Sequence, residues 1–127
     1  MRKRRIMLVD DEASITRALA MYLTEIGDCE VCVENVGSRA LVAARAFKPD
    51  LIFMDIVMPD ADGGALAAEI QADPGLKGTP VVFLTALVSR RETGGTTMTI
   101  GGYPFLAKPV APETILASIA EHARERV

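Results

Sequence analysis

Five short apolar runs, recurring at intervals of roughly 20 to 25 residues, constrain this chain more than any other feature of its sequence. They are Ile6–Val9, Val31–Val36, Leu51–Met54, Val81–Leu84 and a weaker Tyr103–Ala107. The runs are apolar at consecutive positions, the pattern of strands covered on both faces. The intervals between them have room for a helix, the crossover that neighbouring parallel strands require. This alternation predicts an α/β domain built on a doubly wound parallel sheet. Ligands of such sheets bind at the carboxyl ends of the strands, near the switch point in strand order.

The first helix is the clearest, with Ile15, Ala18, Leu19, Tyr22, Leu23 and Ile26 on a helical period and Gly27 as its stop. A second helix is expected from an N-cap at Ser38 to about Phe47, broken by Pro49 and Asp50. A third covers Gly64 to Ala72 and ends at Asp73-Pro74-Gly75. The last starts near Pro112 and presents Ile115, Leu116, Ile119, Ala120 and Ala123 as its buried stripe. Ser89 to Gly102 holds four glycines and four threonines, which are poor helix formers, so any fourth helix there is short.

A length of 127 residues fits one domain, read here as spanning 1–127 with no output domain. Half the residues are apolar and Trp is absent, so the core must be mostly aliphatic. A net charge of −3 argues against direct nucleic-acid binding, which needs a basic face. The basic start, Met1 to Arg5, runs directly into Ile6-Met7-Leu8-Val9 and reads as a solvated lead-in to a strand. It lacks the longer apolar stretch of a secretory signal. Nor does any segment approach the roughly 20 apolar residues of a membrane span. A cytoplasmic protein is expected.

Cys29 and Cys32 form a C-x-x-C, which in isolation suggests redox chemistry or half a zinc site. The surrounding residues read as a strand, on which positions three apart point to opposite faces. There is no second cysteine pair, and His122 is the only histidine. Two structural thiols and a solvated histidine are the expectation.

The strand ends carry the chemistry. Asp10 and Asp11 close the first strand, Asp55 the third, Thr85 the fourth and Lys108 the fifth. In a parallel sheet all of them meet on one rim. Clustered carboxylates raise one another's pKa, and a divalent cation removes the conflict. Hard oxygen ligands suit Mg²⁺, which also binds phosphoryl oxygens. Asp55 could then attack phosphorus, with Lys108 and the cation stabilising the equatorial oxygens. Gly94-Gly95 and Gly101-Gly102 read as connectors, since no Gly-Lys-Ser/Thr follows either pair. Arg90-Arg91 reads as a solvated helix start.

Val9-Asp10-Asp11-Glu12, the stretch from Met54-Asp55 to Asp62-Gly63 with its Met58-Pro59, Leu84-Thr85-Ala86 and Lys108-Pro109 together resemble the response-regulator receiver family. The resemblance covers nearly the whole chain. It implies a flavodoxin-like five-stranded sheet of order 2-1-3-4-5. It also implies Asp55 as phosphoacceptor, Asp11 as a direct Mg²⁺ ligand, Asp10 acting through metal-bound water, and the Val57 carbonyl as a further ligand. Thr85 becomes the switch hydroxyl, Ala86 leaves space for the phosphoryl group, and Lys108 binds it across a cis bond to Pro109. Phe105 stands at the switch-aromatic position, while Tyr103 is out of register for that role. Val57 and Leu87, both apolar, flank the path of hydrolytic water and imply slow self-dephosphorylation. The partners implied are a histidine kinase or histidine phosphotransfer protein and a downstream protein that meets the fourth-helix, fifth-strand and last-helix face. Such a protein is mainly a switch, catalysing only its own phosphoryl transfer.

Two other readings compete. A binding module that works without phosphorylation would draw support from the unusual Gly94–Gly102 stretch. A flavin or nucleotide enzyme of similar fold needs glycines and hydroxyls after the first strand, where this chain has acids.

Overall fold

The computed structural model describes residues 3–86 and 99–124, with only the backbone described at 99 and 100. Leu87, Arg90, Arg91, Gly94 and Gly95 lie outside the described residues. Strands β1 (Arg5–Val9), β2 (Glu30–Glu34), β3 (Leu51–Asp55), β4 (Val81–Thr85) and β5 (Tyr103–Ala107) pair in parallel in the order β2-β1-β3-β4-β5. The expected topology is therefore observed. A two-residue strand, Thr99–Ile100, adds antiparallel to the outer edge of β5.

Helices α1 (Ala13–Glu25), α2 (Ala40–Phe47), α3 (Gly63–Ala72) and α4 (Pro112–His122) follow in chain order. Alternation along the strands divides the core in two. Ile6, Leu8, Phe53, Val82 and Leu84 face Leu19 and Leu23 of α1 and Ile115 and Ile119 of α4. Met7, Val9, Ile52, Met54 and Phe83 face Ala40 and Ala44 of α2 and Leu66, Ala67 and Ile70 of α3. The central strands β3 and β4 are buried at every position. By contrast β2 is an edge strand, exposed at Glu30 and Val33, so its run is not covered throughout. Its two glutamates give that open edge charge, which discourages pairing with another chain.

Several local expectations need correction. Ser38 caps no helix: Gly37–Arg39 forms a 3₁₀ turn ahead of α2, and its leading amides bond to Asp60 instead. The third helix starts one residue early, at Gly63, because the Asp62 carboxylate accepts the Gly64 N–H at 3.0 Å. Gly27 does not take the left-handed turn after α1; Asp28 does, at φ 54°. What requires glycine at 27 is space, since a Cβ there would meet Leu116 and the Leu23 carbonyl at 2.8 Å. Ala18 and Ile26 are exposed on α1, Ile26 because it lies past the last helical turn. On α4 the buried stripe passes through Ser118, and Ala120 faces outward. His122 is half-buried beside Glu121 rather than fully solvated.

Cys29 precedes β2 and Cys32 lies within it. They pack against opposite layers of the core, and both are free thiols. Burial pushes both thiols above their ordinary pKa. No helix among the described residues is long and apolar enough to cross a membrane.

Candidate functional site

Parallel strands bring their carboxyl ends to one rim, and the four predicted strand ends meet there. Asp10 and Asp11 follow β1, while Asp55 ends β3 beside it in the ladder. One carboxylate oxygen from each of these three residues lies within 4.8 Å of the others. Asp10 and Asp55 are buried; Asp11 is exposed at the mouth.

Lys108, just past β5, points into this cluster. Its Nζ lies 2.7 Å from Asp10 Oδ2, 3.3 Å from Glu12 Oε1 and 3.5 Å from Asp55 Oδ2. Asp10 Oδ1 accepts the Glu12 N–H at 3.0 Å. The other oxygen, Oδ2, is ion-paired with Lys108 yet receives no well-aligned hydrogen bond, although it is completely buried. A buried carboxylate oxygen in that condition retains capacity for a cation.

The electrostatics follow from this crowding. Burial raises the Asp55 pKa; Lys108 pulls it down, Asp10 pushes it up again, and the Val57 N–H lowers it, with a net upward shift. Burial by itself would lower Lys108. Its close contact with Asp10 and the charges of Asp10 and Asp55, with the Glu12 hydrogen bond, carry it above its usual value instead. A lysine among carboxylates stays protonated, and a carboxylate among carboxylates holds its proton more tightly.

The donor set suits a hard divalent ion. All three candidate donors are carboxylate oxygens, the ligands Mg²⁺ prefers. Two oxygens bound to Mg²⁺ at about 2.1 Å lie about 3 Å apart when adjacent and about 4.2 Å apart when opposite. The three donor oxygens, all within 4.8 Å of one another, would draw together by side-chain rotation to reach those separations. Asp10, Asp11 and Asp55 could therefore share one such ion.

Thr85 is buried at the end of β4, and its carbonyl accepts the Lys108 N–H at 2.9 Å, tying two rim residues together. Ala86 beside it is exposed. The Lys108–Pro109 peptide bond is cis. Phe105 is buried opposite Phe83 in the ladder, whereas Tyr103 is half-buried with its ring edge-on to Phe83, centroids 5.4 Å apart. Val57 is exposed just beyond Asp55, at the start of a tight hairpin in which Val57–Met58 pairs with Ala61–Asp62. A groove of 520 Å³ opens next to Lys108, lined by Ile15, Ala18, Leu84, Pro109 and Val110 among others.

Three further residues join the site region. Glu12 ends up on Lys108 rather than capping α1. Asn35 donates to the Asp10 carbonyl at 2.7 Å and to Thr16 Oγ1 at 2.9 Å. Asp60 binds the turn before α2. Glu12 had a weak signal as the third consecutive acid; the other two had none, because their partners are more than 15 residues away in sequence.

The family described as the response regulator receiver domain matches residues 6–120. The probable transcriptional regulator ycf27 of Porphyra purpurea is 38% identical over 119 residues, covering 92% of this chain and 46% of that protein. The DNA-binding response regulator MtrA of Mycolicibacterium paratuberculosis is 30% identical over 124 residues, covering 96% of this chain and 52% of that one. The chain thus spans about half the length of the curated relatives it matches. Among solved structures, the BeF3-activated N-terminal receiver domain of Klebsiella pneumoniae RstA superposes with a TM-score of 0.78 at 30% identity, covering 96% of this chain and all of that one.

Proposed function

Since the chain belongs to the response regulator receiver family of two-component systems, we propose that it takes a phosphoryl group onto Asp55 in a Mg²⁺-dependent reaction and so switches a partner-binding surface. The observation that carries this reading is the meeting of three carboxylates and Lys108 around one point on the sheet rim.

Each residue has a distinct task. An anionic oxygen of Asp55 attacks phosphorus, forming the O–P bond as the donor's N–P bond breaks and the imidazole departs. Asp11 and Asp55, with the Val57 carbonyl, would hold Mg²⁺, with Asp10 supporting it through water; the ion would supply positive charge to the phosphoryl oxygens. Lys108 turns from Asp10 to a phosphoryl oxygen, moving its charge to where negative charge develops. Thr85 donates its hydroxyl to the arriving group, and Ala86 keeps the entry open. Phe105 carries the change to the face formed by β5 and α4. The hydrocarbon side chain of Val57 cannot orient water, and with Leu87 this makes self-dephosphorylation slow.

A histidine kinase or histidine phosphotransfer protein supplies the group, its contact favoured by the apolar groove beside Lys108. The downstream partner is a protein. We assign no direct nucleic-acid contact to this domain; the relatives named as transcriptional or DNA-binding regulators are about twice as long. The 127 residues act as a single receiver domain, in the cytoplasm. No observation among the described residues favours a module independent of phosphorylation.

Acetyl phosphate with Mg²⁺ should add one labile phosphoryl mass to the wild type and none to Asp55→Asn. Wild type left unmodified, under conditions that modify another receiver, refutes the proposal.

A further inference from the structure

We infer that Asn35 and Asp60 are positioning residues that set the spacing of the acidic site from behind, through the loop between β2 and α2. The inference rests on the metal-binding reading above and deepens it.

Two segments carry the donors. One is the β1 end with Asp10 and Asp11; the other is Asp55 with the Val57 hairpin. Their pairing with each other ends at Val9 and Met54, while Asp55 still pairs with Leu84 of β4 on its other side. The β2–α2 loop spans the gap. On one side, Asn35 Nδ2 donates to the Asp10 carbonyl at 2.7 Å and to Thr16 of α1 at 2.9 Å, and the Asp10 N–H reaches the Glu34 carbonyl at 3.2 Å. On the other, the Asp60 carboxylate accepts the Gly37 N–H at 3.2 Å and the Ser38 N–H at 2.9 Å. These bonds to the anion hold Asp60 below the usual carboxylate range.

Packing agrees with the bonding. A Cβ on Gly37 would meet the Ala61 Cβ at 2.7 Å and Met58 Cε at 3.2 Å, so the loop sits directly on the hairpin. The closed path runs Asp10, Asn35, Gly37, Asp60, Val57, Asp55. Asn35 holds only the backbone carbonyl of Asp10 and the Thr16 hydroxyl, and Asp60 holds only the amides of Gly37 and Ser38, so neither offers an atom to the ion. They limit how far the two donor segments separate, in the way outer partners orient metal ligands.

The test is calorimetric titration of Mg²⁺ alone into the full chain, alongside thermal unfolding. Asp60→Ala should weaken binding about tenfold, the lower end for loss of an outer partner. Asp60→Asn keeps one acceptor oxygen and should recover part of that loss, and Asn35→Ala should weaken binding in the same direction. Asp73→Ala, which breaks the Arg45 ion pair away from the rim, is the control for a purely structural effect. Asp60→Ala binding Mg²⁺ like wild type, or losing no more affinity than Asp73→Ala, overturns the inference. A wild type that binds no Mg²⁺ overturns instead the metal-site reading beneath it.

Discussion

Strand β3 has a buried aspartate at each end, and the two lead opposite lives. Asp50, at the amino end, accepts the Arg5 N–H at 2.8 Å, while its own N–H donates to the Arg5 carbonyl at 2.7 Å and its carbonyl accepts the Arg124 N–H at 2.9 Å. Its carboxylate, amide and carbonyl each bond to the backbone of Arg5 or Arg124, which ties the start of β3 to β1 and to the end of the chain just past α4. Asp55, at the carboxyl end, has one backbone N–H, one lysine it shares with other acids, and two aspartates for neighbours. Both are buried acids next to the same apolar strand. Burial therefore does not distinguish a structural carboxylate from a reactive one. What distinguishes them is whether the surroundings satisfy the charge or leave it contested.

The comparison can be broken most directly by asparagine at each end. Asp55→Asn should abolish phosphoryl uptake from acetyl phosphate, read by intact mass, whereas Asp50→Asn should remain competent. Uptake retained by the first or lost by a folded second would erase the distinction. Next in size is stability. Asp50→Ala strands the half-buried Arg5 amide and should cost about 1 kcal/mol in denaturant unfolding, while Mg²⁺ affinity is unchanged. Asp55→Ala should cost less without Mg²⁺, because burial already disfavours the Asp55 anion.

A third outcome concerns Lys108. Lys108→Met removes the cation from Asp10 and Asp55, so without Mg²⁺ the fold should lose about 1–2 kcal/mol, and added Mg²⁺ should restore part of it. A variant as stable as wild type in chelator would show that the ion pair carries no stabilisation.

The smallest effect is with pH. The Asp55 pKa is raised above its ordinary 3.8, so the protonated carboxyl fits the fold better than the anion. Its contribution is fully present below 3.8 and is lost as pH rises through the folded value. Without Mg²⁺, the Tm advantage of Asp55→Asn over wild type should therefore grow as pH rises from that point. A constant difference would mean that Lys108 fully offsets the burial.

Much of this was legible beforehand. The strand runs, the four described helices to within a residue or two, and the rim residues at the strand ends could be placed because each depends on local pattern. A parallel sheet then forces strand ends onto one edge whatever the loops do. The misreadings share one cause. Ser38 had the side chain of a cap, but Asp60 reaches across 22 residues to do that work. Gly27 had the look of a helix stop, but its need is set by Leu116 packing against it. Ala120 suits a buried stripe better than Ser118 does by residue type, yet Ser118, one helical turn past Ile115, lies on the buried face and Ala120 does not.

By itself, then, the order of residues determined the kind of sheet and which side chains stand at its carboxyl rim, because both follow from periodicities of a few residues. Only the folded chain decided that Asp50 bonds to the backbone of Arg5 while Asp55 faces rival acids, and that the loop between β2 and α2 meets Asp10 through Asn35 and the hairpin through Asp60. Those outcomes depend on distances of a few ångströms between groups far apart in sequence, and only the packing of helices on the sheet sets them.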